Sequence, residues 1–553
     1  MNVPASALSI VSGPELDAEP GLGALTLPGL VREVCSRYGP REAMAFPFGG
    51  ATRRLSYDDL WREANRVARA LIASGAGKDA RVGLLASNRP EWVIVAFGIA
   101  LAGGTIVAIN SFATASELEQ QLRLADVGVL LFERQVANRD FGADLVALMQ
   151  AARLPYLRDV VCLDGQVDAK GISTFDAFLQ RGETIDPALI DAIAAEIAPA
   201  DHGIVFFSSG STGKPKAILH TQRAAAIQCW RWGRVFALDR DVRTWAANGF
   251  FWSGNFCMAV GATLSVGGCL VLQRYFVPSE ALQLMAAEKV TLPLAWPHQW
   301  PKLTSEAIYP NVDLGSLRYV GEISPLRNHP AVKADWNEPT AAYGATETFT
   351  ICTVHPSGTA ADVRKDNHGF VMGGITLRIV DPMTGVVLPR GQSGEIAVKG
   401  ATLMLGYLKV PPEEAFDTDG FFRTGDGGFL DEQGRLHWQG RLNDIIKTGG
   451  ANVSPLEIDA VLAEFPGVKV ARTVGVPHDT LGEMVVACVV AAGGTKLQEA
   501  PIREFVAKKL SSYKVPRRVL FVDEADLSLT GSNKVKLATL RELAVARLAQ
   551  GQA

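Results

Sequence analysis

Three short stretches between residues 82 and 110 constrain the fold more than any other part of this sequence. Residues 82–86 read VGLLA, 91–102 read EWVIVAFGIALA and 105–110 read TIVAIN. The first and last have the length and composition of buried strands. The middle one is long enough for a helix and stops at Gly103-Gly104. Strand, helix and strand in close succession, with no polar face on either strand, predict a parallel sheet covered by helices. Residues 55–75 predict a further helix. Ser56 and Asp59 have capping-box spacing, and Leu60, Ala64, Val67, Ala68 and Leu71 recur on one face. GIVFF at 203–207 predicts another short buried strand.

Such continuous apolarity raises the question of membrane spans. Residues 92–116 run 25 positions without a charge, and residues 244–273 run 30. Length alone would admit both. The first, however, is broken by the glycine pair. The second holds Asn248, Ser253, Asn255, Ser265, Gln273 and five glycines. A broken helix in lipid strands its backbone polar groups. Both stretches therefore predict core of a large α/β body, with no integral membrane segment.

Charge and cysteine narrow the setting. Fifty-four basic and 58 acidic residues leave a net charge of −4, which provides no broad basic face for nucleic acid. Seven scattered cysteines without a C-x-x-C pair indicate neither a disulfide framework nor a zinc site, and fit a reducing compartment. The first twenty residues have no basic segment followed by an apolar one, so they read as a cytosolic leader and predict a cytoplasmic protein. At 553 residues the chain is long enough for three or four domain-sized units of about 150 residues.

One segment carries chemistry by itself. Ser208, Ser209, Gly210, Ser211, Thr212, Gly213, Lys214, Pro215 and Lys216 follow the 203–207 strand directly. Two glycines let the backbone turn and present N–H groups, four hydroxyls add donors, and two lysines add positive charge. The combination suits a polyphosphate. It is not a Walker A loop, where Ser or Thr follows the Gly-Lys pair; here Pro215 does. The alternative is a flexible linker. Further on, residues 434–455 are rich in Gly, Asn and charge, and a compact unit of about 100 residues follows them. Its predicted elements include a strand at 485–491 and a helix at 502–510. A domain boundary is placed near 440–443.

With these segments in view, the chain resembles the adenylate-forming enzymes: acyl-CoA synthetases, peptide-synthetase adenylation domains and luciferases. SSGSTGKPK looks like their signature loop, and five further motifs follow in the family's order. These are YGATET at 343–348, GEIAVKGATLMLGY at 394–407, FRTGD at 422–426, GRLNDIIKTGGANVSPLEID at 440–459 and TGSNKVK at 530–536. The resemblance spans about residues 30 to 540. It implies a large N-terminal domain of stacked α/β sheets with a small barrel-like subdomain (1–440), and a small mobile α+β C-terminal domain (441–553).

The resemblance also implies roles. Residues 208–214 and Lys216 would meet phosphate. Tyr343 would stack on adenine beside Gly344, Thr346 would touch the α-phosphate, and Glu347 would hold Mg²⁺. Asp426 would accept from the ribose hydroxyls, and Arg441 would contact ribose or phosphate. Asn443 sits at the hinge position. Lys447, Gly449 and Gly450 would border the path of a thiol, and Lys534 occupies the place of the C-terminal catalytic lysine. Taken singly, Tyr343 also reads as a core aromatic, Asp426 as a turn residue and Lys534 as a solvated lysine.

The implied reaction has two steps. A carboxylate attacks the α-phosphorus of ATP, releasing pyrophosphate, and the thiol of coenzyme A then displaces AMP from the acyl-adenylate. Between steps the small domain would rotate, withdrawing Lys534 and turning residues 443–455 inward. A carrier-protein or amine acceptor and a catalytically silent nucleotide-binding homologue are the alternatives. The basic residues Arg503, Lys508, Lys509, Lys514, Arg517 and Arg518 read as a solvated helix face, or alternatively as contacts for CoA phosphates. A homodimer is left open.

The chain departs from the pattern in three places. Ser528 and Asn533 replace the Pro and Gly of the lysine motif, though Asn tolerates left-handed backbone. The hinge carries Asn443 where relatives have Asp or Lys. Phe250-Phe251-Trp252 stands where many relatives have an aromatic-His pair, and Trp252 cannot act as an acid or base; it would line or gate a pocket, or simply pack. No acid lies between Asp241 and Glu280, which disfavours an amino-acid substrate. Phe251, Trp252, Gly321, Thr348 and Phe349 are the candidate pocket residues, and a fatty, aryl or alicyclic acid fits them. Glu322 would approach a polar substituent, or sit in a salt bridge.

Overall fold

The computed structural model describes residues 8–209, 215–339, 341–442, 446–453, 455–493, 495–526 and 537–550. Its large part holds two sheets with helices between and outside them. The first sheet has eight strands. In spatial order they are Ile172–Thr174, Asp159–Cys162, Val129–Phe132, Arg81–Leu85, Thr105–Ala108, His202–Ser209, Pro215–Thr221 and Gly406–Tyr407. The first six are parallel and the last two join antiparallel. The second sheet has five strands: Leu292–Leu294, Arg243–Ala246, Cys269–Val271, Glu42–Phe48 and Ala51–Ser56.

Side-chain alternation along the strands builds the layers. Val82, Leu84, Ile106 and Ala108 of the first sheet, with Met44 and Phe46 of the second, face one shared central core. The helices Leu27–Tyr38, Tyr57–Ala73, Pro90–Leu101 and Gln222–Val235 fill it. Leu85 and Val107 point the other way, onto helices Ala115–Leu124 and Phe141–Gln150. Ala45 and Trp245 likewise point onto helix Pro278–Ala287.

The expected elements form. Tyr57–Ala73 is helical, and Ser56 and Asp59 make the reciprocal capping box. Pro90–Leu101 is helical with every residue buried, as its lack of a polar face requires. The 244–273 run divides into two strands and a broken helical segment, 253–265, whose middle, Phe256–Gly261, is π-helical. Among the described residues no helix is long and apolar enough to cross a membrane. All seven cysteines are buried and unbridged.

A third sheet is antiparallel: Ile10–Ser12, Ile375–Val380, Gly394–Gly400, Phe422–Leu430 and Leu436–Arg441. It has its own core and occupies the place of the barrel-like subdomain. The C-terminal sheet runs Ala451–Val453, Ile446–Thr448, Gly482–Ala491 and Val468–His478, with Arg518–Phe521 parallel to Gly482–Ala491. Val485, Ala487 and Val489 pack on one side, and Val486, Cys488 and Val490 on the other, under helix Leu537–Ala549. The helix expected at 502–510 is Glu499–Ala507. Its apolar positions were read correctly, but periodicity marks the buried face rather than the ends.

Candidate active site

Strands His202–Ser209 and Pro215–Thr221 form a hairpin in which Ser208 pairs with Lys216. Residues 210–214, which hold Gly210, Ser211, Thr212, Gly213 and Lys214, lie outside the described residues. Lys216 extends its ammonium 4.4 Å over the Tyr407 ring, at a distance typical of a cation–π contact. The Tyr407 hydroxyl donates to Glu347 at 2.8 Å. The Met404 N–H donates to the Glu347 carbonyl at 2.8 Å. The motif at 394–407 therefore does more than build structure: its last residues hold Lys216 and Glu347 in one place.

The 343–350 loop is tightly determined. Tyr343 lies in the short strand Ala342–Tyr343, paired with Thr353. A Cβ at position 344 would stand 1.6 Å from the Thr350 carbonyl oxygen, so only glycine fits there. Phe349 and Thr350 have φ of 52° and 85°. That conformation is costly for a β-branched Thr350 and persists only where the surroundings impose it. One such restraint is His220, which is fully buried and bonds the Thr346 carbonyl at 2.8 Å through Nε2. Burial lowers its pKa from 6.5 to about 3, so the ring is neutral and Nε2–H donates.

Tyr343 donates to Asp426 Oδ2 at 2.8 Å, and burial pushes the phenol well above its ordinary value. Asp426 lies on Phe422–Leu430, opposite Arg441 in the register. Its N–H donates to Thr424 Oγ1, whose hydroxyl donates to the Ile396 carbonyl. The Gly425 N–H donates to Glu395, which also pairs with Arg423. The tyrosine and aspartate expected around a nucleoside are thus brought together. Asn443 and Lys534 lie outside the described residues.

The C-terminal hairpin, Ile446–Thr448 and Ala451–Val453, turns at Gly449 and Gly450 with φ of 56° and 86°. A Cβ on Gly449 would stand 2.7 Å from His298 Nδ1, and one on Gly450 would stand 2.9 Å from Trp296. Both glycines are therefore needed for close approach as well as for backbone conformation. Lys447 is exposed, with its ammonium 3.5 Å over the Trp438 ring.

Nearby, Lys514 is 6% exposed and bridges the two parts of the chain. It pairs with Glu117 of the large part at 3.1 Å and with Glu457 at 2.8 Å. Ser511 donates to Glu117 through both N–H and hydroxyl. Burial disfavours the Lys514 charge, but Tyr513, Glu457 and Glu117 more than offset this and hold its pKa above the ordinary value. Four of the five other basic residues of that run are engaged elsewhere. Lys508 pairs with Glu504, Lys509 with Glu464 and Arg518 with Glu499, while Arg503 donates to the Pro516 carbonyl.

Between these groups lies a cavity of about 240 Å³. Ser208 and Thr346 line it on one side, and Gly450 of the hairpin also borders it. Four tryptophans shape it: Trp252, Trp296, Trp300 and Trp336. Trp252 sits 6.0 Å from Trp296 and 5.9 Å from Tyr513, between the cavity and the C-terminal part. Gly321 lines the cavity.

Phe251 instead borders a smaller adjoining cleft with Glu117 and Lys514. Thr348 and Phe349 are buried behind the wall. Phe349 packs on Phe206 and His220, and Thr348 caps its own turn through Ala345 N–H. These two were expected in the pocket, but they do not line it, and the chain takes a left-handed turn at Phe349. Glu322 points outward and pairs with Arg364 at 3.0 Å. His220, Tyr407, Glu338 and the Lys514 cluster were not singled out for these positions. The signals were slight: a histidine inside an apolar strand, and a lysine flanked by Tyr513 and Val515.

The fold and this convergence of residues define an adenylate-forming enzyme. Residues 31–408 match the AMP-binding enzyme model, and residues 457–534 match the AMP-binding enzyme C-terminal domain. The chain belongs to the AMP-binding enzyme family. Among its relatives, an acyl-CoA ligase (sidI) of Aspergillus fumigatus is 30% identical, over 98% of this chain and 94% of the relative. The 3-[(3aS,4S,7aS)-7a-methyl-1,5-dioxo-octahydro-1H-inden-4-yl]propanoyl:CoA ligase of Mycobacterium tuberculosis is 32% identical, over 89% and 94%. The amide bond synthetase McbA of Marinactinospora thermotolerans shares the fold. Its TM-score is 0.74 at 24% identity, over 93% of this chain and 99% of that one.

Proposed function

We propose that this protein is an ATP-dependent acid–thiol ligase that activates a hydrophobic, ring-containing carboxylic acid and delivers it to coenzyme A. The carboxylate attacks the α-phosphorus of ATP, giving acyl-AMP and pyrophosphate. The CoA thiol then attacks the acyl carbon, giving the thioester and AMP. The observation that carries the reading is the meeting of Thr346, Ser208 and the Gly450 turn at one tryptophan-lined cavity, with Glu347 and Lys216 tied together beside it. The wide aromatic wall favours a ring over a long chain. The M. tuberculosis relative, named for a bicyclic keto acid, supports that choice, as does a 30% identical indoleacetate–CoA ligase of Aromatoleum aromaticum.

In this reading Tyr343 and Asp426 hold adenosine, Arg441 assists at ribose or phosphate, and residues 208–214 with Lys216 hold the phosphates. Lys534 bridges carboxylate and α-phosphate in the first step. The Gly449–Gly450 turn lines the thiol path, with Lys447 at its mouth. The boundary falls at 440/441, with Asn443 as hinge. Enzymatic work here is mainly positioning and charge neutralisation.

Mg²⁺ fits the donor set. Glu347 offers one carboxylate beside the phosphate hairpin, and the described residues hold no cluster of three ligating side chains. Mg²⁺ usually takes most of its ligands from water and substrate phosphate rather than from a protein cage. When bound, it would neutralise triphosphate charge. Seven reduced, buried cysteines support a cytoplasmic setting.

The test is a panel of fatty, aryl and alicyclic acids with ATP, Mg²⁺ and CoA, following AMP and thioester together. Equimolar AMP and thioester from a ring acid is expected. Pyrophosphate release without thioester would move the acceptor to a carrier or amine. No ATP consumption with any acid would overturn the reading.

A further inference from the structure

Several polar groups that line the cavity are engaged, while the buried Trp252 indole N–H has no partner among the described residues. Asn248 accepts from Gln299, and Asn255 donates to the Gly249 carbonyl. Trp336 donates its indole N–H to the Phe236 carbonyl at 2.9 Å, and the Tyr319 hydroxyl accepts from the Asp239 N–H at 3.2 Å. These bonds fix the wall formed by residues 319–321 and 336–338.

Glu338 is different. Its side chain lines the cavity, yet its carboxyl has no hydrogen bond and no ion pair among the described residues. The buried Ser324 hydroxyl beside it on the same lining is also unpartnered. A chain does not leave a half-buried carboxyl without partners cheaply. Burial pushes the Glu338 pKa up, with no nearby charge to oppose it. The site is shaped around this carboxyl: a Cβ at Gly321 would stand 1.9 Å from Glu338 Oε2. Gly321 therefore matters less as open pocket floor than as the space that Glu338 occupies.

We infer that Glu338 is a specificity residue that accepts a hydrogen bond from a donor group on the acyl substrate, a hydroxyl or an amine carried on its ring. This rests on the reading of the cavity as the acyl pocket. Four tryptophans supply the apolar surface for the ring, and Glu338 selects for the donor on it. A site that hydrogen-bonds a substrate group rejects the analogue lacking it, because its own polar group is then left unpaired. The substrate class is thus a hydroxylated or aminated ring acid.

The experiment compares a ring acid bearing a hydroxyl, an amine or a methyl at one position, reading kcat/KM from AMP and thioester. Wild type should favour a donor-bearing acid over the methyl isostere by about tenfold or more. Glu338→Leu should lower kcat/KM for that acid about 10- to 100-fold and leave the methyl acid unchanged or improved. Glu338→Gln, which keeps an acceptor but not the charge, should retain a hydroxyl preference and lose an amine preference. Wild type that turns over the methyl acid as well as the others would overturn the inference while leaving the ligase reading intact. So would uniform loss across all acids in both variants, which marks a structural residue. No turnover of any acid would overturn both.

Discussion

At the scale of single residues, the site depends on side chains that hold other side chains. His220 fixes the Thr346 carbonyl, and its buried ring is neutral because its pKa has fallen to about 3. The unfolded chain, with an ordinary value near 6.5, binds the extra proton first. This group's contribution is therefore fully present above pH 6.5 and is lost as pH falls from 6.5 toward 3. A urea-unfolding comparison with His220→Phe should show the difference moving in the variant's favour by about 1.4 kcal/mol per pH unit across that window; a pH-independent difference would mean the histidine is not neutral inside. Asp426 accepts from Tyr343 and faces the proposed ribose. Asp426→Ala should weaken ATP binding about 10- to 100-fold by calorimetry, and unchanged affinity would remove the ribose assignment. Asp426, Glu347 and Tyr343 were legible in the sequence because each sits in a motif of fixed spacing. His220, Tyr407 and Glu338 were not, because their parts depend on partners 126, 60 and 17 positions away, and one chain read linearly does not reveal such pairings.

At the scale of elements, the C-terminal hairpin and the Lys514 cluster carry the account. Strand and helix identities followed from apolar runs and caps, and the helix ends shifted where periodicity alone was the guide. The docking of the small part on the large one was legible only by family likeness, since Lys514 reads as one member of a basic run. Its burial between Glu117 and Glu457 shows what that run conceals. Removing one member of a buried ion cluster leaves charges unpaired, at a cost of about 3–5 kcal/mol. Lys514→Met should therefore loosen this docked arrangement. The arrangement places Gly450 at the cavity, so thioester formation from preformed acyl-adenylate should fall at least about tenfold while adenylate formation changes little. Limited proteolysis between residues 440 and 460 should quicken in parallel. Equal rates of both half-reactions in variant and wild type would show that the cluster does not hold the arrangement.

At the scale of the whole molecule, two bodies share one cavity. The large one contributes the hairpin of Lys216, the Thr346–Glu347 loop and the tryptophan wall; the small one contributes the glycine turn, and the proposed mechanism assigns Lys534 to it. A length of 553 residues suggested three or four units; in the large body two main sheets share a central core and a third, antiparallel sheet has its own, and the proposed function divides the chain in two. The near-balanced charge agrees with this. In the proposed reading a few placed cations meet the phosphates, while Lys508, Lys509 and Arg518 are paired with acidic neighbours. The central claim is that one site performs two half-reactions with different parts of the chain. It is tested most directly by measuring them separately in Lys534→Ala. Adenylate formation, read as acid-dependent pyrophosphate release, should be abolished, while conversion of supplied acyl-adenylate and CoA to thioester should continue near the wild-type rate. Equal loss of both half-reactions, or loss of neither, would contradict it.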